Sequence, residues 1–105
     1  MKFYRVYTIP AVHLSILDSY EYIAEESPQA ALDWLSGIKE AIKSLEHLPQ
    51  RCGFIREQDA FQNEIRELRF QSFRIIFQIS ESDSLVEVLA LRHAAQDSWK
   101  DGGKN

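Results

Sequence analysis

Five arginines crowd one short stretch of this chain, and they are the first residues that suggest chemistry. Between residues 51 and 78, Arg51, Arg56, Arg66, Arg69 and Arg74 stand against Glu57, Asp59, Glu64 and Glu67, a balance of +1 in a protein of net charge −4. Arginine is the cation suited to bidentate contact with phosphate or carboxylate. Arginines and glutamates on neighbouring strands also pair across a sheet face, which is the plainer reading of any one of them. Arg74 stands out because it interrupts the apolar run Phe73-Arg74-Ile75-Ile76-Phe77. If Phe73, Ile75, Phe77 and Ile79 face a core, the period of two sends Arg74, Ile76 and Gln78 to the other side. Arg66 belongs to the strand before and His93 to the end of the strand after, so the three can converge. An imidazole with an ordinary pKa of about 6.5 suits proton transfer at neutral pH. A metal centre is poorly supported, since Cys52 has only His13, His47 and His93 for company and none lies at ligand spacing.

These residues need elements to position them. Residues 3–8, Phe-Tyr-Arg-Val-Tyr-Thr, read as a short strand. Pro10 opens a helical pattern with Val12, Ile16, Tyr20 and Ile23 on one stripe, and Ser27-Pro28 offers an N-cap and first-turn proline for a second helix. Ala31, Leu35, Ile38, Ile42 and Leu45 form its apolar seam, which Leu48-Pro49 ends. So short a connection makes the pair an antiparallel hairpin. Gly37 costs the second helix about 1 kcal/mol relative to alanine, and a close approach of the first helix would offset that. Residues 49–63 read as a loop bending at Gly53, followed by strands over Glu64–Phe70, Phe73–Ile79 and Leu85–Leu91, the last two separated by the polar turn 80–84. The expected fold is α+β in two layers, β-α-α-β-β-β, with the helical hairpin on one face of a mostly antiparallel four-stranded sheet. Residues 1–96 make one domain, and the polar tail 97–105 is expected to fray.

The composition sets limits. A chain of 105 residues with 45% hydrophobic and 27% charged side chains suits one globular domain. A lone cysteine forbids an internal disulfide and suits a reducing cytoplasm, and no apolar run is long enough for a membrane span. The net charge of −4 gives the whole molecule no electrostatic reason to seek nucleic acid. Cys52, with no basic run beside it beyond Arg51, reads as inert, and Trp34 and Trp99 read as packing or partner contacts rather than base-stacking platforms.

From Tyr4 to about His93 the chain resembles the RelE/ParE superfamily of bacterial toxins from type II toxin–antitoxin modules. The resemblance is carried, in order, by Tyr4-Arg5-Val6, by Tyr20 and Ile23, and by Ser27-Pro28 with Ala30 and Ala31. It continues through Leu45-x-x-Leu48-Pro49 with Gly53 and Glu57, then Ile65-Arg66-Glu67-Leu68, Phe73-Arg74-Ile75-Ile76-Phe77 and Val88-Leu89-Ala90-Leu91-Arg92-His93. It implies the same fold and an antitoxin partner whose extended, partly helical segment wraps the toxin. It also implies one of two targets. RelE-like and YoeB-like members cut messenger RNA on the ribosome, whereas ParE-like members lack that catalytic set and poison DNA gyrase.

For an endoribonuclease, the resemblance would make Glu57 the base, Arg74 the phosphate cation, Arg66 a second cation and His93 the acid, the roles that such cleavage requires. Two departures speak against it. Lys39 and Lys43 stand among Glu40 and Glu46 where RelE-like members are strongly basic, and Gln96 occupies a position where many members carry arginine. The long helix pair and the Leu-x-x-Leu-Pro stop look more like the ParE side. The leading expectation is therefore a gyrase-directed toxin with no cofactor, no metal and no membrane. The alternatives are a ribosome-dependent endonuclease and an inactive module that only binds its antitoxin. Arg74, Arg92 and Ile76 are the expected partner-binding residues. Ile76 and, by parity, Val86, Val88 and Ala90 are read either as an exposed apolar strip on which a partner segment lies or simply as core.

Overall fold

Ser27 organises the helical layer. Its backbone N–H closes the first helix on the Ile23 carbonyl at 3.1 Å, and its Oγ accepts the Ala30 N–H at 3.1 Å to open the second. One residue thus ends α1 (Pro10–Glu26) and caps α2 (Pro28–Lys43), with a proline in the first turn of each helix. The structure, a computed structural model, describes residues 2–96, Ser98 and Trp99. α2 stops earlier than its apolar seam predicts, passing at Ser44 into a 3₁₀ turn, Ser44–Glu46. Beyond this turn the Arg51 guanidinium donates to the carbonyls of His47 at 2.6 Å and Leu48 at 3.1 Å.

The sheet has the order β1-β4-β3-β2, with β1 (Arg5–Thr8) parallel to β4 (Leu85–His93) and β3 (Phe73–Ser80) antiparallel to both β4 and β2 (Arg66–Phe70). Both helices cover one face, as alternation in β3 predicts. Ile75 and Phe77 are fully buried there with Tyr4, Val12, Ile16, Trp34, Ile38, Leu45, Val86, Val88 and Leu91. Gly37 does meet a close neighbour, but it is not α1. A Cβ at this position would lie 2.4 Å from the Phe70 ring of β2, so the glycine lets α2 settle onto the sheet edge.

The opposite face is not bare. Residues 53–55 run along the outer edge of β2, held by the Phe54–Arg66 bridge and the Ile55 N–H on the Ile65 carbonyl at 3.0 Å. The chain from Arg56 to Glu64 then folds over the sheet, and Gln58 ties it by accepting the Ile65 N–H at 2.8 Å and donating to the Asn63 carbonyl at 2.7 Å. Beneath lies a second small core of Ile55, Ile65, Ile76 and Trp99, with Phe61, Leu89 and Ala90 packed against it. Trp99, placed by the sequence in a polar tail, is only 6% exposed. Apart from Ser98, the remainder of 97–105 lies outside the described residues.

Of the two readings of the apolar positions on β3 and β4, exposed strip or core, the structure corrects the first and bears out the second. Ile76 is fully buried under the loop and Trp99, and Val86 and Val88 belong to the main core. The parity argument fails at a β-bulge. Ile76 pairs with Ala90, but Phe77 pairs with Val88, leaving Leu89 as an extra residue in β4. Alternation is reset there, so Val88 faces the helices while Ala90, two residues on, does not.

Candidate functional site

The far face of the sheet carries a chain of alternating charges. Arg69 lies opposite Arg74 across β2 and β3, and Arg92 lies opposite Arg74 across β3 and β4, so three cations share this face. Glu67, two residues before Arg69 and so on the same side, separates two of them. Its Oε1 accepts from Arg74 Nε at 2.7 Å and its Oε2 lies 3.9 Å from Arg69 Nε. From the covering loop, Glu57 meets the outer fork of Arg74, with Oε1 2.7 Å from Nη2 and Oε2 3.1 Å from Nη1. Arg56 Nε stands 3.4 Å from Glu57 Oε2.

Burial grades this chain from end to end. The Arg74 side chain is 1% exposed and Glu57 7%, whereas Arg56 and Arg69 at the two ends are 51% and 54% exposed. A buried guanidinium needs this degree of pairing, because one unpaired in such a place would cost several kcal/mol. Burial by itself would raise the Glu57 carboxyl, but hydrogen bonds from Arg74 and from the Trp99 N–H at 2.9 Å outweigh it and hold the carboxyl at about 2. The bonds from Glu57 raise the pKa of Arg74 in turn. At neutral pH Glu57 is thus an anion with both oxygens engaged, the opposite of what a general base poised near neutrality requires.

The other two sequence candidates lie elsewhere. Arg66 pairs with Phe77 and His93 with Phe73, both on the helix-covered face, and four residues of β3 put about 13 Å between those two positions. Arg66 is tied down locally: its Nη1 donates to the Cys52 carbonyl at 2.6 Å, and its guanidinium sits 4.5 Å above the Phe54 ring. His93 stands edge-on to the Phe73 ring, with Nδ1 accepting the Ala95 N–H at 3.1 Å, beside a cleft of about 390 Å³ bordered by Ser15, Asp18, Ser19 and Tyr22 of α1. The fold brings Glu57 and Arg74 together and leaves Arg66 and His93 apart from them. Of the partner-binding candidates, Arg92 lies on the Arg74 face and Ile76 forms its buried floor.

Sequence reasoning gave Glu67 only a cross-strand pairing and gave Trp99 no part in this cluster. The first was within reach, because Glu67, Arg69 and Arg74 share a face once β2 and β3 pair through the Gln71–Ser72 turn. The second carried no signal beyond a lone aromatic in a polar segment. Burial pushes the Cys52 thiol up, as suits an inert core residue. A separate polar cluster, in which the Glu81 carboxylate takes the Tyr4 hydroxyl at 2.6 Å and Gln50 at 2.7 Å, ties the β3–β4 turn to β1. Among the described residues no group of His, Cys, Asp and Glu is arranged to hold a metal ion, and no helix is long and apolar enough to cross a membrane.

The arrangement is similar to known folds. The structure resembles a chain of the chromosomal ParDE toxin–antitoxin system of Pseudomonas aeruginosa, at 15% identity and a TM-score of 0.68 over 89% of this chain and 98% of that one. It also resembles a chain of the archaeal RelE–RelB complex of Pyrococcus horikoshii, at 18% identity and a TM-score of 0.60 over 92% and 100%. A third is the RelBE2 complex of Mycobacterium tuberculosis, at 16% identity and a TM-score of 0.59 over 91% and 97%. At these identities the likeness concerns the fold alone. A comparison with curated proteins found no match. The family model described as the ParE toxin of the type II toxin–antitoxin system parDE matches residues 13–98, most of the chain, and the chain therefore belongs to that toxin family.

Proposed function

We propose that this toxin acts by protein–protein contact in the ParE manner, with DNA gyrase as its target, and that a cognate antitoxin neutralises it. The observation that supports this reading is the separation of the four residues an endoribonuclease would need. Glu57 is locked to Arg74 as a carboxylate, while Arg66 and His93 lie on the other side of the sheet. A phosphate cannot meet all four without refolding the sheet. The helical hairpin also opposes a nucleic-acid target, since it carries Asp18, Glu21, Glu25, Glu26, Asp33 and Glu40 against only Lys39 and Lys43. The Arg-bearing face, with Arg56, Arg69 and Arg92 around Arg74, is the surface we assign to partner carboxylates.

The test is to induce the gene alone in a bacterial host and follow labelled thymidine and leucine incorporation over the first minutes. Thymidine incorporation should fall first, and His93→Gln should be as toxic as the parent. Purified protein should block supercoiling by gyrase. An early fall in leucine incorporation that His93→Gln abolishes would overturn the proposal and point to the ribosome. A folded protein that changes neither would leave only antitoxin binding.

A further inference from the structure

Leu48 holds a backbone conformation that leucine avoids. Its φ of 47° and ψ of 53° lie in the left-handed region, where a Cβ crowds the carbonyl that follows. The proline after it disfavours helical geometry here as well. Glycine or asparagine would accept this turn with less strain. Packing does not explain the leucine either, because its side chain is 56% exposed. The two leucines of Leu45-x-x-Leu48-Pro49 therefore do different work, since Leu45 is fully buried. The strained turn is nonetheless held in place. Arg51 donates to the Ser44 Oγ at 3.0 Å as well as to the His47 and Leu48 carbonyls. A bulky apolar side chain is thus kept at the surface against the preference of its own backbone, a cost that needs a use elsewhere.

Two aromatic rings flank this position. Phe3 is half-exposed, bridges to His47 and meets that ring edge-on at 5.1 Å. On the other side, Arg66 Nη1 donates to the Gln50 carbonyl at 3.3 Å, and the half-exposed Phe54 ring lies 4.5 Å from the same guanidinium. Phe3, Leu48 and Phe54 are so joined through His47, Gln50 and Arg66 into one strip. Its two guanidiniums, Arg51 and Arg66, are spent on backbone carbonyls. The strip therefore fits an apolar surface rather than a countercharge, and a projecting side chain between two rings fits a cleft.

We propose that Leu48, flanked by Phe3 and Phe54, is the anchor that seats this toxin in an apolar cleft of the folded protein it acts on. The inference rests on the reading of the toxin as acting by protein–protein contact, but not on gyrase being the protein touched.

The test pairs thermal unfolding with growth arrest. Leu48→Asn relieves the backbone and removes the apolar anchor. Its Tm should equal or exceed that of the parent, while the inducer needed to arrest growth rises at least tenfold at equal soluble protein. Leu48→Met, which keeps an apolar side chain, should restore most of the arrest. Leu32→Asn, at an exposed leucine of α2, should arrest growth as the parent does. A lower Tm for Leu48→Asn would make the leucine a support of the fold, and full toxicity would show that the side chain meets no target. Either result overturns the proposal. A parent that sediments as a dimer and dissociates in Leu48→Asn would assign the strip to a second copy and overturn it too, as would a folded parent that arrests no growth. If arrest depends on Leu48 while purified parent leaves gyrase supercoiling intact, the anchor stands and gyrase falls.

Discussion

Replacing Glu57 with glutamine tests the central ion pair most directly, and its cost can be worked out in two ways. The carboxyl is held at about 2 in the folded protein, against about 4.3 for an unperturbed glutamate. At about 1.36 kcal/mol per pKa unit, the difference corresponds to roughly 3 kcal/mol in favour of the folded state at neutral pH. Breaking a buried ion pair by removing one partner costs about 3–5 kcal/mol, an independent figure of the same size. Because the folded pKa is depressed, the contribution is complete above the unfolded value and is lost as pH falls through the folded one. The window therefore runs from about pH 5 down to about pH 2. Urea unfolding followed by circular dichroism should show Glu57→Gln less stable by about 3 kcal/mol at pH 7, with Tm lower by roughly 10–20 °C. The gap between variant and parent should narrow steadily below pH 5 and nearly close by pH 2. Glu81 is also held at about 2, by the Tyr4 hydroxyl first and then Gln50 and Lys2, but it titrates in both proteins and cancels from the difference. A gap that stays constant with pH, or one below about 1 kcal/mol at pH 7, would refute the account of Glu57 as the buried partner of Arg74.

Two further substitutions probe the elements that position this site. Gly37→Ala gains about 1 kcal/mol of helix propensity, but the new Cβ would sit 2.4 Å from Phe70 Cζ and 3.0 Å from Cε1. Overpacking of that kind costs about 1–3 kcal/mol, so thermal unfolding should show a net loss, and Phe70→Leu in the same background should recover part of it. Ser27→Ala removes the acceptor for the Ala30 N–H and should cost about 1 kcal/mol by the same measurement, while Ser27→Asp should retain the cap and cost little.

The sequence by itself determined whatever depends on local periodicity and local backbone chemistry. The seam Ala31-Leu35-Ile38-Ile42-Leu45 and the Ser27-Pro28 junction define the helical hairpin, because a cap and a run of 3.6-residue spacing need no distant partner. Alternation in Phe73–Ile79 likewise placed Ile75 and Phe77 toward the helices and Arg74 and Ile76 away from them. What tertiary structure alone decided concerns relations between strands and the cover over them. The bulge at Leu89 reverses the alternation of β4 beyond it, turning His93 toward α1 and Arg92 toward Arg74. No local pattern marks such an insertion, since Val88-Leu89-Ala90-Leu91 is apolar throughout. Arg74 is buried where a loop of ordinary polar composition carries Glu57 onto it, and the Trp99 N–H bonds that carboxylate from the far end of the chain. Those contacts span 17 and 42 residues of chain. Their stability comes from a shared desolvated space that exists only once the sheet has formed.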